Sequence, residues 1–205
     1  MPIDAYLGFF GVTLLLALSP GPDNAYLLTL SAEQGFRRGL LLTAGLCSGL
    51  VLHTLLAVSG LSALLAASPT AFALLSMAGA LYLIWLALGM WKTAAPASVT
   101  QQPVTGLALY RRGLLMNLSN PKVVVFFVAL LPQFATGPDT STQTLITLGA
   151  ILVLGTLLVF GSLAALGNVL LHWQHWAPLQ RWLNRLTALA IVLAALALLY
   201  SLIAQ

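Results

Sequence analysis

The chain has 205 residues, of which 60% are hydrophobic and only 6% charged, with a mean hydropathy of +1.00. A water-soluble domain of this length carries roughly 25% charged residues, so most of this surface faces lipid rather than water. The formal charge of +4 comes from basic residues scattered between apolar runs, which form no continuous patch and exclude a nucleic-acid partner.

Crossing a hydrocarbon core of ~30 Å takes about 20 helical residues at 1.5 Å each. Six apolar segments reach that length: Ile3 to Leu30, Gly39 to Leu65, Ala71 to Trp91, Leu107 to Phe134, Leu145 to Leu171 and Trp182 to Ile203. The first has no basic region before it, since Asp4 is the early charge, and no small-residue cleavage site closely follows it. It is therefore expected to stay in the mature protein rather than to act as a signal peptide. It is interrupted by LSPGPDN, Leu18 to Asn24.

The second segment follows GFRRG and contains Gly45 and Gly49, a GxxxG spacing that allows close helix packing within the chain or, less simply, at a homodimer interface. It also holds the single cysteine, Cys47, which has no partner for a disulfide or a CxxC pair and reads as a small packing residue. His53 falls near its centre, where a near-neutral imidazole suits either proton coupling or a hydrogen-bonded packing role.

After the third segment comes a stretch rich in Pro, Ala, Ser and Thr, which reads as a flexible linker over about residues 93–106. It divides a single transmembrane domain, 1–205, into a first repeat of about 1–92 and a second of about 107–205. The fourth segment is interrupted in its turn by NLSNPK, Asn117 to Lys122. In the fifth, Gly149, Gly155, Gly161 and Gly167 recur every six residues, a spacing that does not line one helix face. His172 and His175, before the sixth, read as solvated loop residues, and no His, Cys or carboxylate cluster has metal-ligand spacing.

Orientation follows from the basic residues, because Lys and Arg flanking spans stay in the cytoplasm. Arg37 and Arg38 lie between the first and second segments, Lys92, Arg111 and Arg112 between the third and fourth, and Arg181 and Arg185 between the fifth and sixth. The other two loops carry only Asp139. Both termini are thus expected outside, with Trp91, Trp173, Trp176 and Trp182 as interfacial anchors beside the inner loops.

The two interruptions fall at corresponding places. Proline removes a backbone donor and glycine admits conformations closed to other residues, so Pro20, Gly21 and Pro22 are expected to open the first helix inside the membrane. Pro121 is expected to do the same to the fourth. Backbone freed in this way is buried in protein or lines a polar cavity. With three spans in each half, the second half enters from the opposite side. The expected fold is all-α, six transmembrane helices arranged as two inverted three-helix repeats with broken first and fourth helices.

Asp23 and Lys122 are the ionisable residues at these breaks, and such groups at membrane depth cost on the order of 3 kcal/mol. Their opposite signs complement an amino-acid zwitterion, with Asp23 facing the ammonium and Lys122 the carboxylate. They equally suit an ion pair with each other, standing or transient, or proton uptake by Asp23. Asn24, Asn117 and Asn120 flank them and complete the candidate binding set.

These motifs resemble those of the lysine exporter and homoserine/threonine efflux (LysE/RhtB-type) superfamily. The likeness is carried by LSPGPDNAYLL, by GFRRG followed by GLCSGLVLH, by GALYLIWLALGMWK and by NLSNPKVVVFFVALLPQF. It covers essentially the whole chain and is strongest from Leu18 to Phe134. The resemblance implies a cofactor-free, six-span inner-membrane exporter of amino acids driven by the proton gradient, with Pro20, Gly21, Pro22, Asp23, Asn120, Pro121 and Lys122 in the central motifs. Several relatives carry an acidic residue in the fifth span, whereas Leu145 to Leu171 has none, which shifts the proton-coupling expectation onto Asp23 and His53.

Two other classes compete with an exporter. A channel or scaffold would repeat polar residues along a lining, yet only the two breaks are polar. An enzyme would place a nucleophile beside a base, or a metal set, near an interface, and neither is present.

The topology is testable with Gln101→Cys and Thr142→Cys in a Cys47→Ser background. An impermeant thiol reagent added to intact cells is expected to modify position 142 and to reach position 101 only after the cells are opened. Modification of both from outside excludes the six-span arrangement.

Overall fold

The computed structural model describes residues 2–19, 21–67, 69–92, 105–127, 131–134, 142–172 and 176–203. Among them the chain is helical throughout, without a strand. The elements are α1 (Ile3–Leu18), α2 (Pro22–Gln34), α3 (Phe36–Ala67), α4 (Pro69–Lys92), α5 (Gly106–Ser119), α6 (Pro121–Val125), α7 (Leu131–Phe134), α8 (Thr142–His172) and α9 (Trp176–Ile203). Most of the 93–106 linker, together with Asp139, Trp173 and His175, lies outside the described residues.

Both expected breaks are present. The first apolar segment is two helices, α1 and α2, bent by 64°. The fourth is divided at Asn120 into α5 and α6. By length and composition α3, α8 and α9 are each able to cross a membrane, and the bent pair α1 and α2 makes a fourth candidate span. The fourth apolar segment, divided into α5 and α6 of 14 and 5 residues, is not among these candidates. The helices also run beyond the apolar segments: α9 begins at Trp176 rather than Trp182, since hydropathy marks the lipid-facing stretch and not the helix end.

Between α2 and α3 the chain turns on one residue, Gly35, whose φ of +88° lies where a side chain is disfavoured. At the other end of the linker Thr105 caps α5, its hydroxyl accepting the Ala108 N–H at 3.3 Å.

The packing rests on small residues. The two glycines of the GxxxG face α5: a methyl on Gly45 would collide with the backbone of Tyr110 and Leu114, and one on Gly49 with the side chain of Asn117. Gly113 of α5 meets the backbone of Leu42 and Leu46 in return. This face is therefore filled within the chain and is not available to a second copy. On α8, Gly149 sits against Thr54 of α3, Gly155 against Thr13 of α1 and Gly167 against Ser31 of α2, while Gly161 has nothing within 4 Å. The six-residue spacing thus serves three different neighbours, for which no single helix face is needed.

Among the described residues, the buried apolar side chains fall into three groups. Phe9, Phe126, Phe127, Leu145 and Leu148 join α1 to α8 and the chain after the second break. Leu27, Leu30, Leu42, Leu109 and Phe160 tie α2, α3, α5 and α8. The third joins α4 to α9 through Ala80, Leu83, Ala188 and Ala195. Cys47 is buried as a packing residue.

Because Gly113 abuts the α3 backbone, Gly113→Leu cannot be absorbed by rotating a side chain. A loss of about 1–3 kcal/mol is expected from overpacking, read as a lower melting temperature in detergent. Gly161→Leu, on the open face of α8, is expected to melt with the parent.

Candidate functional site

Breaking a helix frees the carbonyls of its last turn, and in a membrane interior each needs a donor. At the end of α1 the donors to four carbonyls can be traced. Leu15 O accepts from the Ser19 N–H at 2.9 Å and from the Thr187 hydroxyl at 3.2 Å. Ala17 O accepts from Asn24 Nδ2 at 2.8 Å. Leu16 O and Ser19 O accept from Lys122 Nζ at 3.1 and 3.4 Å. A cation at the C-terminal end of a helix also complements its dipole. Lys122 reaches there from α6, so the second break closes the first.

The reverse link is made by Asn120. It caps α6, its Oδ1 accepting the Lys122 backbone N–H at 3.0 Å, and its Nδ2 donates to Asp23 Oδ2 at 2.7 Å. Asp23 is in the first turn of α2, where an acid is favoured, behind Pro22 at the first helical position. Gly21 precedes it in extended conformation, and Lys122 Nζ lies 3.7 Å from where a Cβ on Gly21 would sit. Asp23 and Lys122 thus belong to one cluster but are joined through Asn120, and each finds its hydrogen-bond partners elsewhere than in the other.

Asp23 and Lys122 line one cavity with Thr13, Asn117, Thr156 and Phe160, drawn from α1, α5 and α8 as well as the breaks. Two polar atoms of these lining residues, Thr13 Oγ1 and Asn117 Oδ1, are buried without a hydrogen-bond partner among the described residues. Unsatisfied acceptors beside a carboxyl suit a ligand carrying several N–H donors.

Of the residues singled out from the sequence, Gly21, Asp23, Asn24, Asn117, Asn120 and Lys122 meet here. Pro22 and Pro121 start α2 and α6, and Pro20 lies outside the described residues. His53 is one step removed: its ring stacks on Phe127 at 5.2 Å, lies beside the Asn117 backbone, and its buried Nε2 has no partner. Thr13, Thr156 and Thr187 were not singled out, because a lone threonine in an apolar helix ordinarily bonds its own preceding turn, and Thr187 does so too, to Leu183 O at 2.9 Å. Towards the loops, the Arg112 guanidinium of α5 lies 4.1 Å over the Tyr26 ring of α2 and ties the two broken helices together.

Against known proteins, the family model described as LysE type translocator matches residues 14–202. A membrane protein of Vibrio cholerae, described as uncharacterized, is 38% identical over 136 residues, 65% of this chain and 66% of that one. A homoserine/homoserine lactone efflux protein of Salmonella typhimurium is 34% identical over 151 residues, 73% of each chain. A leucine efflux protein of Enterobacter sp. (strain 638) is 31% identical over 135 residues, 63% of each. No solved structure matches.

Asn120 is the residue whose loss unties both breaks at once. Asn120→Leu removes a hydrogen bond to a carboxyl and a helix cap, and is expected to cost about 2–3 kcal/mol, seen as a lower melting temperature in detergent. Asn120→Asp keeps the cap but presents a second carboxyl to Asp23, and is expected to lower the melting temperature as well.

Proposed function

The chain belongs to the LysE type translocator family, and we propose that it exports neutral amino acids or close derivatives across the inner membrane by proton antiport. It is a multi-pass membrane protein and a translocator, not an enzyme. The proposed substrates are homoserine, its lactone, threonine or other neutral amino acids, released outward, in keeping with the efflux named for its relatives.

One observation carries this reading. Asp23 and Lys122, brought from two broken helices, line one cavity together with polar atoms that lack partners. In the proposed complex the α-ammonium is received by Asp23, with Thr13 Oγ1 and Asn117 Oδ1 as further acceptors. The carboxylate takes Lys122 Nζ in exchange for the carbonyls of Leu16 and Ser19. Gly21, Pro22 and Pro121 hold the backbone open, and Asn24 and Asn120 position the two breaks. Asp23 and His53 are the groups proposed to carry the proton.

The pattern of helix packing supports the six-span inverted repeat. The first broken helix, α1 with α2, packs on α8; the second, α5 with α6, packs through α5 on α3; α3 packs on α8, and α4 on α9. Exchanging the first span with the fourth, the second with the fifth and the third with the sixth maps these four contacts onto themselves, although the packing of α2 on α3 has no comparable mate between α5 and α8 among the described residues. Such a repeat places the site at its own pseudo-symmetry axis, where rocking of one half against the other opens it to either side. The basic loops on one side favour termini on the outer side.

Purified protein in liposomes is expected to move a labelled neutral amino acid against its gradient when a proton gradient of the right sign is imposed, without ATP. Asp23→Asn and Lys122→Met each leave one charge of the bound zwitterion unpaired, and are expected to lower the initial rate about 30-fold or more while inserting normally. Strictly downhill movement under every proton gradient rejects antiport and keeps the carrier. Normal rates in both variants reject the site.

A further inference from the structure

A second cavity opens on the other side of Lys122. Its walls come from α1, α4, the chain at the second break and α9, through Leu15, Leu83, Phe126, Ala190 and Ile191. Leu16, Lys122 and Phe126 line both this cavity and the one that holds Asp23, so the two are separated by the lysine side chain and its two apolar neighbours. The chemistry on the two sides differs. The first cavity carries a carboxyl, an amide and two threonines. Among the described residues, Thr187 is the one polar lining residue of the second besides Lys122. Its hydroxyl proton is committed to Leu183 O or Leu15 O, which leaves only lone pairs to offer.

We propose that this second cavity is the side-chain subsite of the carrier and that it selects neutral aliphatic amino acids. The inference rests on the zwitterion site described above and adds the part of the substrate that site leaves unaddressed. With the carboxylate on Lys122, the α-carbon stands at the shared wall and the side chain passes between Leu16 and Phe126. The cavity is small, about 20 Å³, and a leucine-sized side chain widens it by pressing back Leu15, Leu83 and Ile191. An ammonium or guanidinium would find no carboxylate there, and a carboxylate no donor but the lysine already engaged, so basic and acidic amino acids are excluded by desolvation. A lipid tail has no use for the lysine in the wall, whereas a substrate held by its carboxylate does.

The test is transport by the full-length protein in liposomes, with labelled leucine and labelled alanine supplied at concentrations well below saturation. Burial of three extra carbons is expected to favour leucine over alanine by roughly tenfold to a hundredfold in the parent. Ala190→Phe fills the cavity and is expected to lower the leucine-to-alanine ratio at least tenfold. Leu83→Ala enlarges it and is expected to raise the phenylalanine-to-leucine ratio, so the subsite is read in both directions and does not depend on one variant folding. Leu193→Phe, on the exposed face of the same helix, is expected to leave both ratios as in the parent. Ratios unmoved by Ala190→Phe and Leu83→Ala in a transporting protein overturn the subsite while leaving the zwitterion site standing. Lysine or glutamate carried as fast as leucine overturns it as well. Failure of the folded parent to carry any amino acid overturns the transport reading beneath both.

Discussion

A helix broken inside a membrane must find partners for the backbone it frees, and that requirement organises this molecule. Water is not at hand to take the unmet groups, and each one left bare costs several kcal/mol. The chain meets the demand across its two breaks rather than within each. Lys122, from beyond the second, takes two carbonyls at the end of α1, and Asn120 gives its amide to Asp23, just past the first. Neither break is closed without the other. The polar cluster is therefore a joint between the halves of the chain as well as a cavity wall.

The joint needs its helices at close range, and glycine and threonine set that range. On α3, Gly49 leaves the room that the Asn117 side chain occupies, so a residue with no chemistry of its own decides where a candidate site residue stands. On α8, Gly155 seats Thr13 and Gly149 seats Thr54. Helix association in lipid draws on such contacts because apolar surface alone gives little preference for protein over acyl chains. The α4 and α9 pair, packed through alanines and leucines, closes the bundle on the side of the second cavity.

The features legible in the sequence were those that violate the local rule. Pro-Gly-Pro and Asn-Pro stand out in an apolar run because they cannot continue a helix, and Asp23 and Lys122 because charge is costly at depth; all of them mark the breaks found in the structure. The GxxxG was legible as a close contact and proved to be internal to the chain. Thr13, Thr156 and Thr187 were not legible, since nothing in one sequence tells a threonine that faces a cavity from one that bonds its own turn. The glycines of the fifth segment resisted interpretation for a related reason. Their partners lie on three separate helices, and a periodicity argument looks for one face. The apolar cavity beside Lys122 was invisible too, because leucines and alanines that line a space read the same as those that fill one.

The hold of Lys122 on the carbonyls of Leu16 and Ser19 has a bearing on the return half of a transport cycle. On the proposed reading these oxygens stand in for a cargo carboxylate whenever the site is unloaded, so the cation is never left bare while the empty carrier reorients. A protein without such an internal stand-in would reset only by carrying something back, and would merely swap one solute for another. On that reading the stand-in lets the carrier return with a proton in place of a second amino acid, and so deplete a cell of its cargo instead of exchanging it.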